Sequence, residues 1–533
     1  MRYRSLFVAS LTCVCFLGWS EPPKTDIAPE VQTALDGIGA SSLKTDLSYI
    51  ASDQLEGRAS PSRGLDLAAD YIAAQFRRAG LEPGVGDSYF QNASMIVEEP
   101  DFSHFELKLS AGGREFSAKP TDAVINFQAA LDLTGQRVFK LNLDDEALVQ
   151  HLTASQVEGK VVILEISPRT RANYRLAARV LRAAKPALLI AVDRRNPSGH
   201  AGPRQRLVDP ADPESGASSP RVSLSGDAAA HFYASLKPGD TDATATVSMA
   251  APHRTPVMLR NVIGVLRGSD PALRDTCVML TAHYDHLGMR PDGGGDRIYN
   301  GANDDGSGTV SVMEVARALG RLPQHPRRSI VFMTFFGEEL GLIGSGYYVH
   351  HPVWPLARIV ADLNLEQVGR TDSTEGRQVS NATLTGFDYS SLTGYVQRAG
   401  EATGIKLYKN AKASDDYFAA SDNFSFAAAG VPAETLTVAF DYPDYHAVGD
   451  EWQKIDYDNM AKVDRAVALA LFLMADSEQP VRWNDSNPKT APFVKASKQG
   501  ASTQPELKQE ESKQPASKQP ASKQPASKLP RQD

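Results

Sequence analysis

The sequence has little cysteine, with three residues in a chain of 533. Cys13 and Cys15 lie within the first twenty residues, so Cys277 is the only cysteine in the rest of the chain. A disulfide bond within that part is therefore excluded. Cys277 stands in the apolar run TCVML, where a small buried residue is expected rather than a nucleophile. The pattern does not indicate thiol chemistry.

Long hydrophobic runs are also missing. The apolar run at 6–19 has 14 residues, follows Arg2 and Arg4, and is too short to span a bilayer. This layout is typical of a secretory signal, so we expect residues 1–20 to be a signal peptide and the mature protein to be secreted or periplasmic. The string SLTC at 10–13 loosely resembles a lipobox, and lipid attachment at Cys13 is the alternative. No later run reaches membrane length, so we expect no transmembrane segment.

Acidic residues outnumber basic ones between the two ends of the chain. The net charge is −8, although the tail 489–533 carries nine Lys and Arg against four Asp and Glu. The first twenty residues add two Arg and no acid, so the body between the two ends carries a net charge of about −15. Nucleic acid is therefore not an expected partner, because binding to phosphates needs a basic face. The pattern leaves the oligomeric state open.

Several common catalytic signatures are absent. The chain has no HExxH zinc motif, no GxSxG nucleophile motif and no Walker phosphate loop. The commonest metalloprotease, serine hydrolase and nucleotide-binding signatures are thereby missing.

Strand-like and helix-like segments alternate from Leu259 onward, which predicts an α/β fold. We expect a mixed, largely parallel sheet with helices on both faces, and a smaller β-rich inserted domain. The tail repeats QPASK three times and has a composition typical of disorder. The predicted units are a signal at 1–20, an N-terminal part of the main domain at 41–129, an inserted domain at 130–252, the rest of the main domain at 253–478 and a disordered tail at 489–533.

Polar clusters follow the apolar strands of this second half. They are His283 with Asp285, Asp304 with Asp305, Glu338 with Glu339, then Glu366, and finally Tyr445 with His446. Taken singly, a histidine near an aspartate is often structural, and adjacent acids before Gly and Ser are often a helix N-cap. Taken together, the imidazoles and carboxylates are the ligand types of a two-zinc hydrolytic site.

The strings around these clusters are TAHYDHLG, NGANDDGSGT, FFGEELGLIGS, LNLEQVGR and YHAVGDEWQKID. In this order they resemble the five metal-site blocks of metallopeptidase family 28, which includes secreted bacterial aminopeptidases of the leucyl aminopeptidase type. The resemblance covers about residues 41–475. The segment from 49 to 83 is similar to the start of secreted bacterial members, and 130–252 resembles a protease-associated domain.

The resemblance implies a zinc-dependent aminopeptidase with two zinc ions per protomer. By position, His283 and Glu366 match ligands of the first zinc, while Glu339 and His446 match ligands of the second. Asp304 matches the bridging carboxylate, Glu338 the general base, and Asp285 the acid that supports the histidine. Two positions depart from the family pattern: Asp is commoner at Glu366, and His is frequent at Asn423.

The expected substrate is a peptide with a free N-terminus and an apolar or aromatic first residue. Tyr445, Tyr417 and Phe424 are the predicted substrate-binding residues, on the expectation that the loop of Tyr445 and the segment with Tyr417 and Phe424 face one another over the metals. Tyr445 adjoins the expected ligand His446, and the alternative for Phe424 is a core position under the sheet. One alternative is a carboxypeptidase on the same site, although no arginine group adjoins the ligand blocks. The other is a non-catalytic binding or receptor protein, which typically loses ligands that this chain retains.

Overall fold

The structure is a computed structural model that describes residues 27–126, 129–167, 169–194, 205–211, 219–290 and 294–503. The predicted signal, with Cys13, and the QPASK repeats lie outside the described residues. Within the described ranges, none of the helices combines the length and the hydropathy that a membrane span requires.

The larger sheet has ten strands and a parallel centre. Its path across the sheet is Lys406–Tyr408, Asn381–Leu384, Ala433–Thr437, Ile359–Leu365, Cys277–His283, Ser329–Phe335, His253–Leu266, Phe90–Glu99 and Arg206–Val208, with Glu82–Pro83 paired to His253–Leu266. Four adjacent central strands run parallel, whereas the flanking pairs to either side of them are antiparallel. The predicted mixed α/β fold class is confirmed.

Helices cover both faces of this sheet. Alternate side chains of the central strands therefore pack into two different apolar clusters, one on each face. In the strand Cys277–His283, Val278 and Leu280 pack into one cluster, and Met279 packs into the other. The first face carries the helices Pro29–Asp36, Ala40–Ile50, Arg63–Arg78, Gly308–Leu319, Leu392–Thr403 and Tyr457–Asp476. The second carries Ile343–His350, Asn423–Ala428 and Ala491–Thr503. Burial on both faces explains the near-continuous apolar runs of the sequence.

A second sheet of eight strands is formed within residues 106–249, which overlap most of the predicted insertion at 130–252. Its path is Arg114–Ser117, Glu106–Ala111, Gly239–Met249, Leu131–Leu141, Val161–Ile166, Leu188–Asp193, Arg221–Leu224 and Ala123–Asn126. Its helices are Glu146–Gln150, Ala154–Val157, Arg171–Ala184 and Asp227–Ser235. The sheet therefore begins at Glu106, before the predicted boundary at residue 130. One strand within this region, Arg206–Val208, joins the larger sheet instead.

The predicted start of the disordered tail, at residue 489, also differs from the structure. The prediction of disorder from residue 489 is wrong for the start of that segment, where the helix Ala491–Thr503 forms. Phe493 of this helix packs against Trp483 and Phe418, with ring centroids 5.2 and 5.3 Å away. This aromatic contact anchors the helix to the main domain.

Candidate functional site

Three predicted site residues lie at or just after the carboxyl ends of three adjacent parallel strands of the larger sheet. His283 ends the strand Cys277–His283, Glu338 comes shortly after Ser329–Phe335, and Glu366 follows Ile359–Leu365 directly. The carboxyl ends of parallel strands meet at one edge of a sheet, which is where ligands of such sheets bind. This shared edge brings together side chains that are far apart in the sequence.

Asp304 reaches this edge from the loop before the helix Gly308–Leu319. The backbone amides of Asn303 and Asp304 donate hydrogen bonds to the carboxylate of the fully buried Asp450. Tyr442 donates a further hydrogen bond to the same carboxylate at 3.0 Å. Asp450 therefore holds the backbone that presents Asp304.

Asp304 lies between two imidazoles. Its Oδ1 is 3.4 Å from Nε2 of His283, and its Oδ2 is 3.0 Å from Nε2 of His446. Each imidazole also approaches a glutamate: His283 Nε2 is 3.4 Å from Glu366 Oε1, and His446 Nε2 is 3.4 Å from Glu339 Oε2. The site is thus two groups of one histidine and one glutamate, with one aspartate between them.

Two further residues join the cluster: His286, which sequence reasoning did not single out, and Asp305, which it noted beside Asp304 without a ligand role. Donor atoms of His283, Asp305 and Glu366 lie within 4.8 Å of one another, and so do those of His286, Asp304 and Glu339. Both extra residues stand in strings already noted, TAHYDHLG and NGANDDGSGT, where their nearness to predicted ligands was the available signal.

The two extra residues differ in their contacts. Asp305 Oδ1 accepts hydrogen bonds from the amides of Gly308 and Gln367, so the helix-capping interpretation holds for this aspartate. His286 Nδ1 lies 2.8 Å from Oε1 of Glu339, the oxygen that does not face His446.

The pKa values of the two neighbouring glutamates are shifted in opposite directions. Burial and Asp304 act to raise the pKa of Glu339, but the contacts with His286 and His446 outweigh them and lower it to about 2. Burial, with the carboxylates of Glu366 and Glu339, raises the pKa of Glu338 well above its usual range. Two acids whose surroundings push their pKa values apart are suited to different chemical roles.

Asp285 supports both His283 and Glu338. Its backbone carbonyl lies 3.2 Å from Nδ1 of His283, and its Oδ1 accepts a hydrogen bond from the backbone amide of Glu338 at 3.0 Å. The side chain of Glu338 is 13% exposed, and its Oε2 is 3.9 Å from Nε2 of His283. Glu338 is therefore beside the cluster and partly exposed.

The donor set fits a divalent cation such as zinc. Asp304 Oδ2 and Glu339 Oε1 are buried and closely approach imidazole nitrogens without forming a hydrogen bond of acceptable geometry, and Oδ2 of Asp285 and Asp305 is also without a partner. Buried carboxylates are costly unless a cation compensates them. Imidazole and carboxylate are established zinc ligands, and zinc sites use them at a coordination number of four or five.

The clustered residues also lie in a segment that is similar to known peptidases. Residues 261–471, which contain all the clustered residues, match the sequence profile of Peptidase family M28. This segment belongs to family M28. Aminopeptidase YwaD of Bacillus subtilis (strain 168) is 29% identical over 229 residues, which are 41% of this chain and 46% of that protein. A probable leucine aminopeptidase 2 of Aspergillus oryzae (strain ATCC 42149 / RIB 40) is 23% identical over 507 residues, 89% of this chain and 90% of that one.

A solved aminopeptidase from Aneurinibacillus sp. strain AM-1 shares the fold, with a TM-score of 0.55 and 19% identity over 84% of this chain and 97% of that chain. The match to three curated relatives is shorter, and the chain spans 27% to 46% of their length.

A cavity of about 100 Å³ opens in front of the cluster of histidines and carboxylates. It is lined by Asp304, Glu338, Glu339, Glu366, Gln367, Thr385, Tyr417, Ala420, Ser421, Thr435, Thr437, Phe440, Asp441, Tyr445 and His446. Tyr445 stacks on His446 at 4.0 Å between ring centroids, and Tyr417 stacks on Phe440 at 5.1 Å. Phe424 does not line the cavity: it packs edge-on against Phe418 and Phe493, which corrects its prediction as a substrate-binding residue.

Arg58 connects the loop that follows His283 with the loop that precedes Asp304. Sequence reasoning did not identify this residue. It is fully buried and donates hydrogen bonds to the backbone carbonyls of Ile50, Tyr284, Asn300 and Gly301. Tyr284 follows His283, and Gly301 lies shortly before Asp304. The available signal was the string LEGR, which lies in the segment similar to the start of secreted family members.

Proposed function

We propose that this protein is a dizinc aminopeptidase that removes N-terminal residues from peptides. The observation that carries the proposal is Asp304, placed between two imidazoles that each have their own glutamate. His283, Glu366 and Asp304 would hold one ion, and His446, Glu339 and Asp304 would hold the other. Bound zinc supplies Lewis acidity toward the scissile carbonyl and lowers the pKa of water.

Glu338 is proposed as the general base. Its raised pKa lets the carboxylate accept a proton from the attacking water and then deliver that proton to the leaving amine. The hydrogen bond from its backbone amide to Asp285 fixes the loop that aims the side chain at the cavity. Asp285 is therefore proposed to act through Glu338 and His283.

The charge of the cavity favours a free amino terminus over a free carboxylate. The described residues that line it include no Arg or Lys, and Asp441 is a lining carboxylate that has no proposed role as zinc ligand or base. Carboxylates suit the ammonium group of a peptide, whereas a carboxypeptidase needs cationic partners for the terminal carboxylate. Tyr417, Phe440 and Tyr445 form aromatic walls, so an apolar or aromatic first residue is proposed.

Export is part of the proposal and depends on the sequence at residues 1–20. We propose a secreted or periplasmic location, with release after signal cleavage. The N-terminal mass of the mature protein tests this, because cleavage after the apolar run gives a free N-terminus, whereas a lipid on Cys13 adds a defined mass.

The decisive experiment is hydrolysis of aminoacyl chromogenic amides by purified protein, before and after removal of metal by a chelator. We expect cleavage of Leu- and Phe-amides to be lost with the metal and restored by zinc, at two zinc ions per protomer by elemental analysis. N-acetylated Leu-amide is the matched control, and its efficient cleavage would contradict the aminopeptidase assignment. Hydrolysis that persists without metal would contradict the mechanism.

A further inference from the structure

A chain of hydrogen bonds runs beneath the site and ends on Glu366. Thr281 Oγ1 lies within hydrogen-bond distance of both Asp362 Oδ1, at 2.9 Å, and Asn364 Oδ1, at 3.0 Å, and Asn364 Nδ2 donates to Ser421 Oγ at 2.9 Å. Ser421 Oγ then donates to Glu366 Oε2 at 2.7 Å. The opposite oxygen of this glutamate, Oε1, is the one that faces His283. Ser421 thus contacts the ligand carboxylate from the side away from the histidine.

The direction of this chain is determined by Asn364. An amide nitrogen can only donate, so Ser421 Oγ must accept from Asn364 and has its single proton left for Glu366. Thr281 and Asn364 are fully buried and Ser421 is 5% exposed, so water does not compete effectively for these groups.

A branch of the same network explains Asn423, where the family often has histidine. Asn364 Nδ2 also donates to Thr435 Oγ1 at 3.1 Å, and Thr435 Oγ1 donates to Asn423 Oδ1 at 2.8 Å. Asn423 Nδ2 in turn donates to the carbonyl of Phe418 at 3.0 Å. Asn423 therefore supports the loop that carries Ser421.

We propose that Ser421, oriented by Asn364, is a positioning residue that holds Glu366 in the conformation needed to bind the first zinc ion. The inference rests on the proposed function. Glutamate has one more rotatable bond than the aspartate that is common at this position, and so loses more rotamer freedom when it binds a metal. The hydrogen bond from Ser421 restricts that freedom before the metal arrives.

The test is zinc affinity, measured by competition with a chromogenic chelator on metal-free full-length protein. Partners of this kind typically change metal affinity by about 10- to 100-fold when removed. We expect Ser421→Ala to weaken one of the two zinc sites by about that factor and to leave the other within about threefold of wild type. Ser421→Thr keeps the hydroxyl and should restore most of the affinity.

Ser329→Ala is the matched control. Ser329 is also buried, donates to the Arg274 carbonyl at 2.6 Å and accepts from the Gly268 amide at 3.0 Å, at the opposite end of the central strands. It should leave both zinc affinities unchanged even if it lowers the melting temperature. Equal weakening of both sites by Ser421→Ala, or no weakening of either, would overturn the inference. Wild-type protein that binds no zinc would instead overturn the proposed function.

Discussion

At the residue scale, Glu338 and Glu339 are sequence neighbours that the structure places in different electrostatic surroundings. Glu339 lies between His286 and His446, whereas Glu338 approaches His283 less closely, at 3.9 Å. The first arrangement suits a charged metal ligand, and the second suits a group that gains and loses a proton.

Replacement of Glu338 by Gln should therefore separate binding from catalysis. We expect zinc content near that of wild type and a fall in kcat of about two to four orders of magnitude, the usual range for a general base. Elemental analysis and steady-state kinetics on the same preparation measure the two effects. Glu339→Gln is the control and should lose zinc; if the Glu338→Gln variant lost zinc instead, the two assignments would be exchanged.

From the surroundings of Glu434 we expect the free energy of unfolding to depend on pH through a group outside the candidate metal site. It is fully buried, and its two oxygens accept hydrogen bonds from Ser390 and Thr393 at 2.7 and 3.0 Å. Burial raises its pKa from the ordinary 4.5 to about 8. Between these values the unfolded chain is ionised while the folded chain holds a proton, so the unfolded state binds fewer protons and stability falls as pH rises.

Glu434→Gln removes this titration. We expect its advantage over wild type in the urea midpoint to be small near pH 4.5 and to increase up to about pH 8. Glu401→Gln, an exposed site on the helix Leu392–Thr403, is the control and should show no such trend. An effect of Glu434→Gln that is the same at every pH would contradict the raised pKa.

At the element scale, Arg58 joins the loops that follow His283 and precede Asp304. Its four carbonyl contacts are all buried, so its removal leaves several acceptors without a donor. Each unsatisfied buried acceptor costs about 1–3 kcal/mol.

We expect Arg58→Met to lower the free energy of unfolding by roughly 3–5 kcal/mol, since several acceptors lose their donor together. Urea unfolding monitored by circular dichroism measures this loss. The control is Arg328→Met, because Arg328 is also buried but its side chain donates hydrogen bonds to two acceptors among the described residues, the Thr276 hydroxyl and the Glu478 carbonyl. Equal losses in the two variants would contradict the special role of the four-carbonyl contact.

At the scale of the whole molecule, the C-terminal helix determines how much of the chain is needed. Phe493 contacts Trp483, Phe418 and Phe424, so loss of the helix exposes aromatic surface on the main domain. Phe493 is half-buried, so we expect its loss to cost less than the roughly 3–5 kcal/mol that is typical of a fully buried Phe.

A chain ended after residue 503 should keep the wild-type melting temperature and activity, whereas one ended after residue 488 should melt several degrees lower. Differential scanning calorimetry measures both, and full-length Phe493→Ala should reproduce most of the shift. Equal melting temperatures for the two shortened chains would show that the helix does not stabilise the main domain.

The sequence predicted the local features well, since each depends on neighbours along the chain. The strand before His283 and the helix after Asp304 are observed as Cys277–His283 and Gly308–Leu319. The six predicted ligand and base positions are also brought together in space, although their roles stay predictions. Apolar periodicity and polar residues at strand ends carried this information.

The sequence did less well wherever the answer depended on distant partners. The hairpin that begins at Glu106 pairs with the strand Gly239–Met249, and no local pattern shows which sheet a strand will join. Phe424 was expected in the pocket on the assumption that its loop faces the loop of His446, but it packs against Phe493, beyond the predicted domain end.

The sequence by itself determined the kinds of ligand, their order and the strand ends that carry them. Only the tertiary structure decided which atoms meet: His286 with Glu339, Ser421 with Glu366, and Arg58 with the two loops. The physical reason is range. Burial patterns and strand ends arise from residues a few positions apart, whereas hydrogen bonds to a buried group depend on segments separated by tens or hundreds of residues and brought together only by packing of the sheet.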